Sequence, residues 1–210
     1  MVGVNIDVTA EQTLKQARET MVRELNHRVK NLFAIVNGII AVVARQVNDK
    51  DALADEVRAR VGALAQAHSL TQTSDDIRPV KLRALVETAM QPYMGHHAIA
   101  LDGDEVLVEN KHITSLALIL HEWATNAMKY GALRNGDGHL DISWHQQQTG
   151  NITLRWTETV QQEQANTPCG TGFGATLVDL SVQQLRGELV TDQDGLKRTM
   201  VLKFPGSTMG

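Results

Sequence analysis

The sequence predicts an α+β protein in two parts: an antiparallel helical hairpin followed by a sandwich of helices on a mostly antiparallel sheet. Three observations carry this. Over residues 19–68 the apolar positions recur at steps of three and four, the period of a helix with one buried face. The stretch TQTSDDIRP at 71–79 is polar, ends in proline and reads as a linker. Beyond it, helical segments are interleaved with short runs in which apolar and polar residues alternate, the period of a half-buried strand.

The elements follow in order. Val22, Leu25, Val29, Leu32, Val36, Ile39, Ile40, Val43 and Val47 form one stripe of a long helix over 19–48. Val47 to Asp51 is a short turn, with Asp49 or Asp51 suited to cap the next helix. That helix places Leu53, Val57, Val61, Leu64 and His68 on one face. A two-helix hairpin cannot bury both stripes alone, so a second copy completing a four-helix bundle is expected, which makes the chain a homodimer. Val80 to Met90 reads as a helix, 98–102 and 106–108 as short strands, and His112 to Leu133 as a helix. Leu140, Ile142 and Trp144 alternate, as do Ile152, Leu154 and Trp156, with Thr149-Gly150-Asn151 as the turn between them. Ala175 to Leu185 reads as a helix; 188–191 and 199–204 close the fold as a hairpin turning at Asp194-Gly195. The domain bounds are therefore 1–18 as a residual strand and linker, 19–75 as the hairpin and 80–207 as the sandwich.

Composition sets the outer limits. With 42% hydrophobic and 21% charged residues among 210, wholesale disorder is excluded. Twenty basic against 24 acidic residues, a net charge of −4, argues against a nucleic-acid binder. A single cysteine, Cys169, can form neither an intramolecular disulfide nor a cysteine zinc site. No apolar run reaches the ~18 residues of a membrane span, and the first residues lack the pattern of a signal peptide. A soluble, cytoplasmic protein is expected.

Two polar constellations stand out. His27 lies opposite the apolar stripe of its helix and shares its face with Arg23 and Asn31, four residues to either side. Most such histidines are plain surface residues. A neutral imidazole beside cations and an amide is, however, suited to attack a phosphoryl group. In the segment HITSLALILHEWATNAMKYGAL, the positions Ile113, Leu116, Ala117, Leu120, Ala124 and Ala127 form an apolar stripe. Glu122, Asn126 and Lys129 cluster on the other side. An acid, an amide and an ammonium there suit a Mg²⁺–phosphate site; a merely solvated helix face is the alternative. His121-Glu122 is not a zinc motif, because position 125 is Thr where H-E-x-x-H needs a second histidine. His96-His97 lacks an accompanying ligand frame and reads as a loop pair. GTGFG at 170–174, ahead of a helix, offers backbone N–H groups to an anion, though alone it is a weak signal.

In this order the pieces resemble the core of a sensor histidine kinase of the HWE family, over about residues 20–205. The phosphoacceptor box reads ELNHRVKN at 24–31, the N box HEWATNAMKYGAL at 121–133, the W-x-E element WTE at 156–158 and the G box GTGFG at 170–174. The resemblance implies a dimerisation and phosphotransfer hairpin followed by an ATP-binding domain of Bergerat (GHKL) type. It implies that His27 accepts the γ-phosphoryl group of ATP and passes it to an aspartate on a response-regulator receiver domain. Asn126 would coordinate Mg²⁺, Lys129 would contact phosphate, and Glu122 would support the metal or polarise the attacking imidazole, with Asn31 near the acceptor. His121, Tyr130, Trp156 and Glu158 would belong to the ATP site, Glu158 in the place of the adenine-reading acid. Gly170, Gly172 and Gly174 would frame the ATP lid. The sequence departs from the family after W-x-E: Thr159-Val160-Gln161-Gln162 stands where glycines and a proline are usual. This favours, as an alternative, an ATP-independent phosphotransfer or scaffold protein. Val4 to Thr9 with the polar run after it resembles the end of a PAS sensor domain and its exit linker, so an upstream sensor is expected.

Overall fold

A computed structural model describes residues 50–69, 79–134, 136–161 and 173–206. The expected first helix with His27 and Asn31 and its half of the expected dimer seam, Asp49, the linker up to 78, and Gly170 and Gly172 lie outside the described residues; Asp51, the other expected cap, lies inside a helix that begins at Lys50. All described residues belong to one compact unit, Asp49–Gly210.

Four helices are described. In order the elements are α1 (Lys50–Ser69), β1 (Val80–Lys81), α2 (Leu82–Met90), β2 (Ala98–Gly103), β3 (Leu107–Val108), α3 (Asn110–Tyr130), β4 (His139–Gln146), β5 (Asn151–Thr159), α4 (Phe173–Gln184), β6 (Glu188–Asp194) and β7 (Lys197–Pro205). The main sheet runs β2-β4-β5-β7-β6, and β1 pairs with β3 in a separate two-stranded ladder. Every pairing in the main sheet is antiparallel except β2 with β4, which is parallel. The β4–β5 and β6–β7 turns carry Gly150 and Gly195, both at positive φ (86° and 54°), where a side chain would be strained.

Alternation dictates which face of the sheet is buried. Ile142, Trp156 and Met200 stand side by side across β4, β5 and β7, as do Trp144, Leu154 and Leu202. All six are buried, and the helices cover them. α3 is the central helix, and the stripe read from the sequence (Ile113, Leu116, Ala117, Leu120, Ala124, Ala127) is buried throughout. Trp123 meets Trp156 edge-on at 5.7 Å between ring centroids, which ties α3 to β5. Such pairs add about 0.5–1.5 kcal/mol beyond their burial. α3 packs in turn against α1, α2 and α4.

The structure departs from the sequence reading in several places. Residues 80–81 form a strand, and the helix begins at Leu82. The parallel β2–β4 pair was not expected, because pairing between strands so far apart leaves no local pattern. Among the described side chains of α1, Arg60, Leu64 and Ala67 are buried, whereas Val61, expected inside, is 38% exposed. Burial follows α3: α1 is rotated so that Arg60 rather than Val61 reaches a carboxylate on that helix.

Candidate functional site

β5 has an acid on its buried face. Trp156 and Glu158 are two residues apart, so both point to the helix side of the sheet. Glu158 is 2% exposed. Its Oε1 accepts a hydrogen bond from Trp156 Nε1 at 3.0 Å, and its Oε2 accepts one from the Ala132 backbone N–H at 3.1 Å. A buried carboxylate needs such donors. The close approach depends on Gly131, where a Cβ would overlap the Glu158 carboxylate. Gly131 has φ of −122°, ordinary extended backbone, so glycine is needed for space alone. Thus the last residues of the N box and the W-x-E acid form one joint between the end of α3 and β5.

One turn back along α3 is the triad read as a polar face. Lys129 is exposed and Asn126 half-buried, so an ammonium and an amide remain within reach of a ligand. Glu122 is different: it is 2% exposed and pairs with Arg60 of α1, also buried at 5% exposure. Arg60 Nη2 donates to Oε2 at 3.1 Å, and Nε lies 2.7 Å from Oε1 without its N–H aimed along a hydrogen bond. On the other side, a Cβ at Gly174, in the first turn of α4, would come within 2.5 Å of Glu122 Oε2. The third glycine of the G box therefore gives Glu122 room.

Asn126 and Lys129 suit the oxygen chemistry of Mg²⁺ and phosphate, an amide oxygen for a hard cation and a cation for an anion. Glu122 does not suit a metal in this arrangement, since its Oε2 accepts from Arg60 and its Oε1 lies 2.7 Å from the same guanidinium. No metal-binding group of three or more His, Cys, Asp or Glu side chains occurs among the described residues.

The remaining expected residues are spread out. Trp156 is fully buried and donates to Glu158, and Tyr130 is exposed beside Lys129. His121 faces away from the Asn126 side, lining a cavity of about 400 Å³ between α1, α2 and α3 together with Tyr93, Thr88 and Gln66. Sequence reasoning missed Arg60 and Gly131. Arg60 shares a helical face with Leu64 and Ala67 at i+4 and i+7, the one signal that it would be buried.

The helix layer on a mixed sheet is a fold already seen in solved histidine kinase domains. The fold of the histidine kinase domain of a blue-light-activated kinase from Erythrobacter litoralis matches it with a TM-score of 0.59 at 18% identity, over 82% of this chain and 95% of that one. The family described as HWE histidine kinase matches residues 24–105. Blue-light-activated histidine kinase 1 of Erythrobacter litoralis is 36% identical over 89% of this chain and 53% of its own length. A blue-light-activated histidine kinase of Rhizobium johnstonii is 31% identical over 98% of this chain and 60% of its own. The chain resembles the HWE histidine kinases, by the family match over 24–105 and by these relatives, and it spans about half the length of the curated relatives it matches. No helix among the described residues is long and apolar enough to cross a membrane.

Proposed function

We propose that this chain is the core of an ATP-dependent protein-histidine kinase. His27 takes the γ-phosphoryl group of ATP and passes it to an aspartate of a response-regulator receiver domain. The observation that carries this is the joint of Gly131, Ala132, Trp156 and Glu158 beside Asn126 and Lys129, in a chain that resembles the HWE family. An acid fixed by two donors beside the end of α3 suits the reading of an exocyclic amine, because a carboxylate accepts hydrogen bonds only. Phosphoryl transfer asks a protein mainly for positioning and charge neutralisation. Asn126 is the residue suited to hold Mg²⁺, and Lys129 to hold a phosphate oxygen. Mg²⁺, when bound, would neutralise charge on the phosphates. In the transfer itself the imidazole nitrogen of His27 forms the P–N bond as the bond from the γ-phosphorus to the bridging oxygen breaks, and ADP leaves with that electron pair.

We further propose the domain roles expected from the sequence: 19–75 as the phosphotransfer hairpin, 80–207 as the ATP-binding domain, and a homodimer joined through the hairpins. An upstream PAS-like sensor and a cytoplasmic setting complete that proposal.

A second reading has an observation in its favour. Glu158 is buried and both its oxygens already hold protein donors, and Thr159 to Gln162 departs from the family. Both fit a phosphotransfer scaffold that no longer uses ATP. Calorimetric titration of the chain with ATP in Mg²⁺ separates the two. The kinase requires saturable binding, and no heat up to millimolar ATP would leave the scaffold.

A further inference from the structure

The Arg60–Glu122 pair joins three elements that the kinase reading assigns to different tasks. Arg60 comes from α1, the second helix of the expected hairpin. Glu122 stands one turn from Asn126 on α3. Gly174, against Glu122 Oε2, opens the helix that follows the glycine loop. Both charged groups are nearly out of water, with side-chain exposures of 6% and 3%. Burying charges is costly, and the cost is offset only while they stay together. A carboxylate with a guanidinium 2.7–3.1 Å from its oxygens is a poor ligand for a cation, because its charge is already neutralised.

We infer that Arg60 is a positioning residue that clasps Glu122 away from the Mg²⁺–phosphate site, so that Glu122 can join Asn126 at the metal only when α1 lets go. This rests on the kinase reading. α1 and the metal then compete for one carboxylate, so any movement of the hairpin helix that loosens Arg60 strengthens the metal-dependent part of ATP binding. By linkage, Mg·ATP loosens α1 in turn.

The test compares ATP dissociation constants with Mg²⁺ and with EDTA, by calorimetry on the full chain, for wild type, Arg60→Gln and Arg60→Lys. The ratio of the two constants isolates the metal's contribution. It is expected to rise about fivefold or more in Arg60→Gln, the scale of an allosteric coupling. Arg60→Lys keeps the charge but cannot span both oxygens, so it should fall between. A merely structural Arg60 would shift both constants together. A ratio within twofold of wild type, or a lower one, overturns the inference. If Arg60→Gln does not fold, Arg60→Lys decides on the same criterion. Amide exchange on the wild-type chain adds a variant-free check. Exchange in α1 must speed up with Mg·ATP and not with ATP in EDTA; equal exchange in both overturns the clasp. Failure of wild type and both variants to bind ATP under either condition would sink the kinase reading and the clasp with it. ATP binding by wild type with an unchanged ratio would sink the clasp alone.

Discussion

Replacing Glu158 with alanine tests how far the W-x-E acid serves the fold as well as the ligand. The variant removes the acceptor for Trp156 Nε1 (3.0 Å) and for the Ala132 N–H (3.1 Å) and leaves both donors in a dry site. A buried donor left without its partner costs about 1–3 kcal/mol. Removing a desolvated carboxylate returns part of that, so a net loss of about 2–4 kcal/mol is expected. For a folding unit of this size each kcal/mol moves Tm by about 2–4 °C, which places the fall at about 5–15 °C. Thermal unfolding without nucleotide, followed by circular dichroism, reads this directly. A Tm within 2 °C of wild type would show that the two hydrogen bonds carry no net stability. The picture of Glu158 as a structural joint would then be wrong, whatever the variant does to ATP.

Three further outcomes follow from the same geometry. Asn126→Ala should weaken Mg·ATP binding at least about tenfold while leaving Tm within about 2 °C, since Asn126 is only half-buried; tight binding in calorimetry would remove the metal assignment. Gly131→Ala places a methyl against Glu158 and within 2.9 Å of the Ala127 Cα, so a loss of about 1–3 kcal/mol is expected from urea midpoints, and wild-type stability would refute the close fit. Burial, with Lys111 and Arg186 nearby, holds the His112 pKa below its usual 6.5, against some opposition from Glu109. The unfolded chain therefore binds more protons in the window below 6.5, so this contribution is present above pH 6.5 and is lost as pH falls through that window. Urea unfolding at pH 7.5 and 5.5 should show a smaller pH difference in His112→Leu than in wild type, and an equal difference would contradict the assignment.

Much of the fold was legible because it rests on period. The α3 stripe from Ile113 to Ala127 was read by helical spacing and is buried at every position. The two-residue spacing of Trp156 and Glu158 already implied that the acid shares the tryptophan's face. What escaped depended on contacts between distant segments. Arg60 reads as one more solvated charge on an alanine-rich helix until α3 presents Glu122, 62 residues away. The same contact takes Glu122 off the solvated face where the helical wheel put it. Gly131 gave no turn signal, since its role is to leave room for Glu158. The pairing of β2 with β4 crosses α3 and has no local mark. His27, the proposed acceptor, lies outside the described residues, and that proposal rests on the ELNHRVKN motif and the family match over 24–105.

The central claim is that His27 takes a phosphoryl group from ATP. The most direct test incubates the full chain and His27→Ala with γ-labelled ATP and Mg²⁺, then treats each with acid and with base. Label is expected on the wild-type chain only, lost in acid and kept in base, as a phosphorus–nitrogen bond requires. Equal label on His27→Ala, or none on wild type that has been shown to bind Mg·ATP, would contradict it.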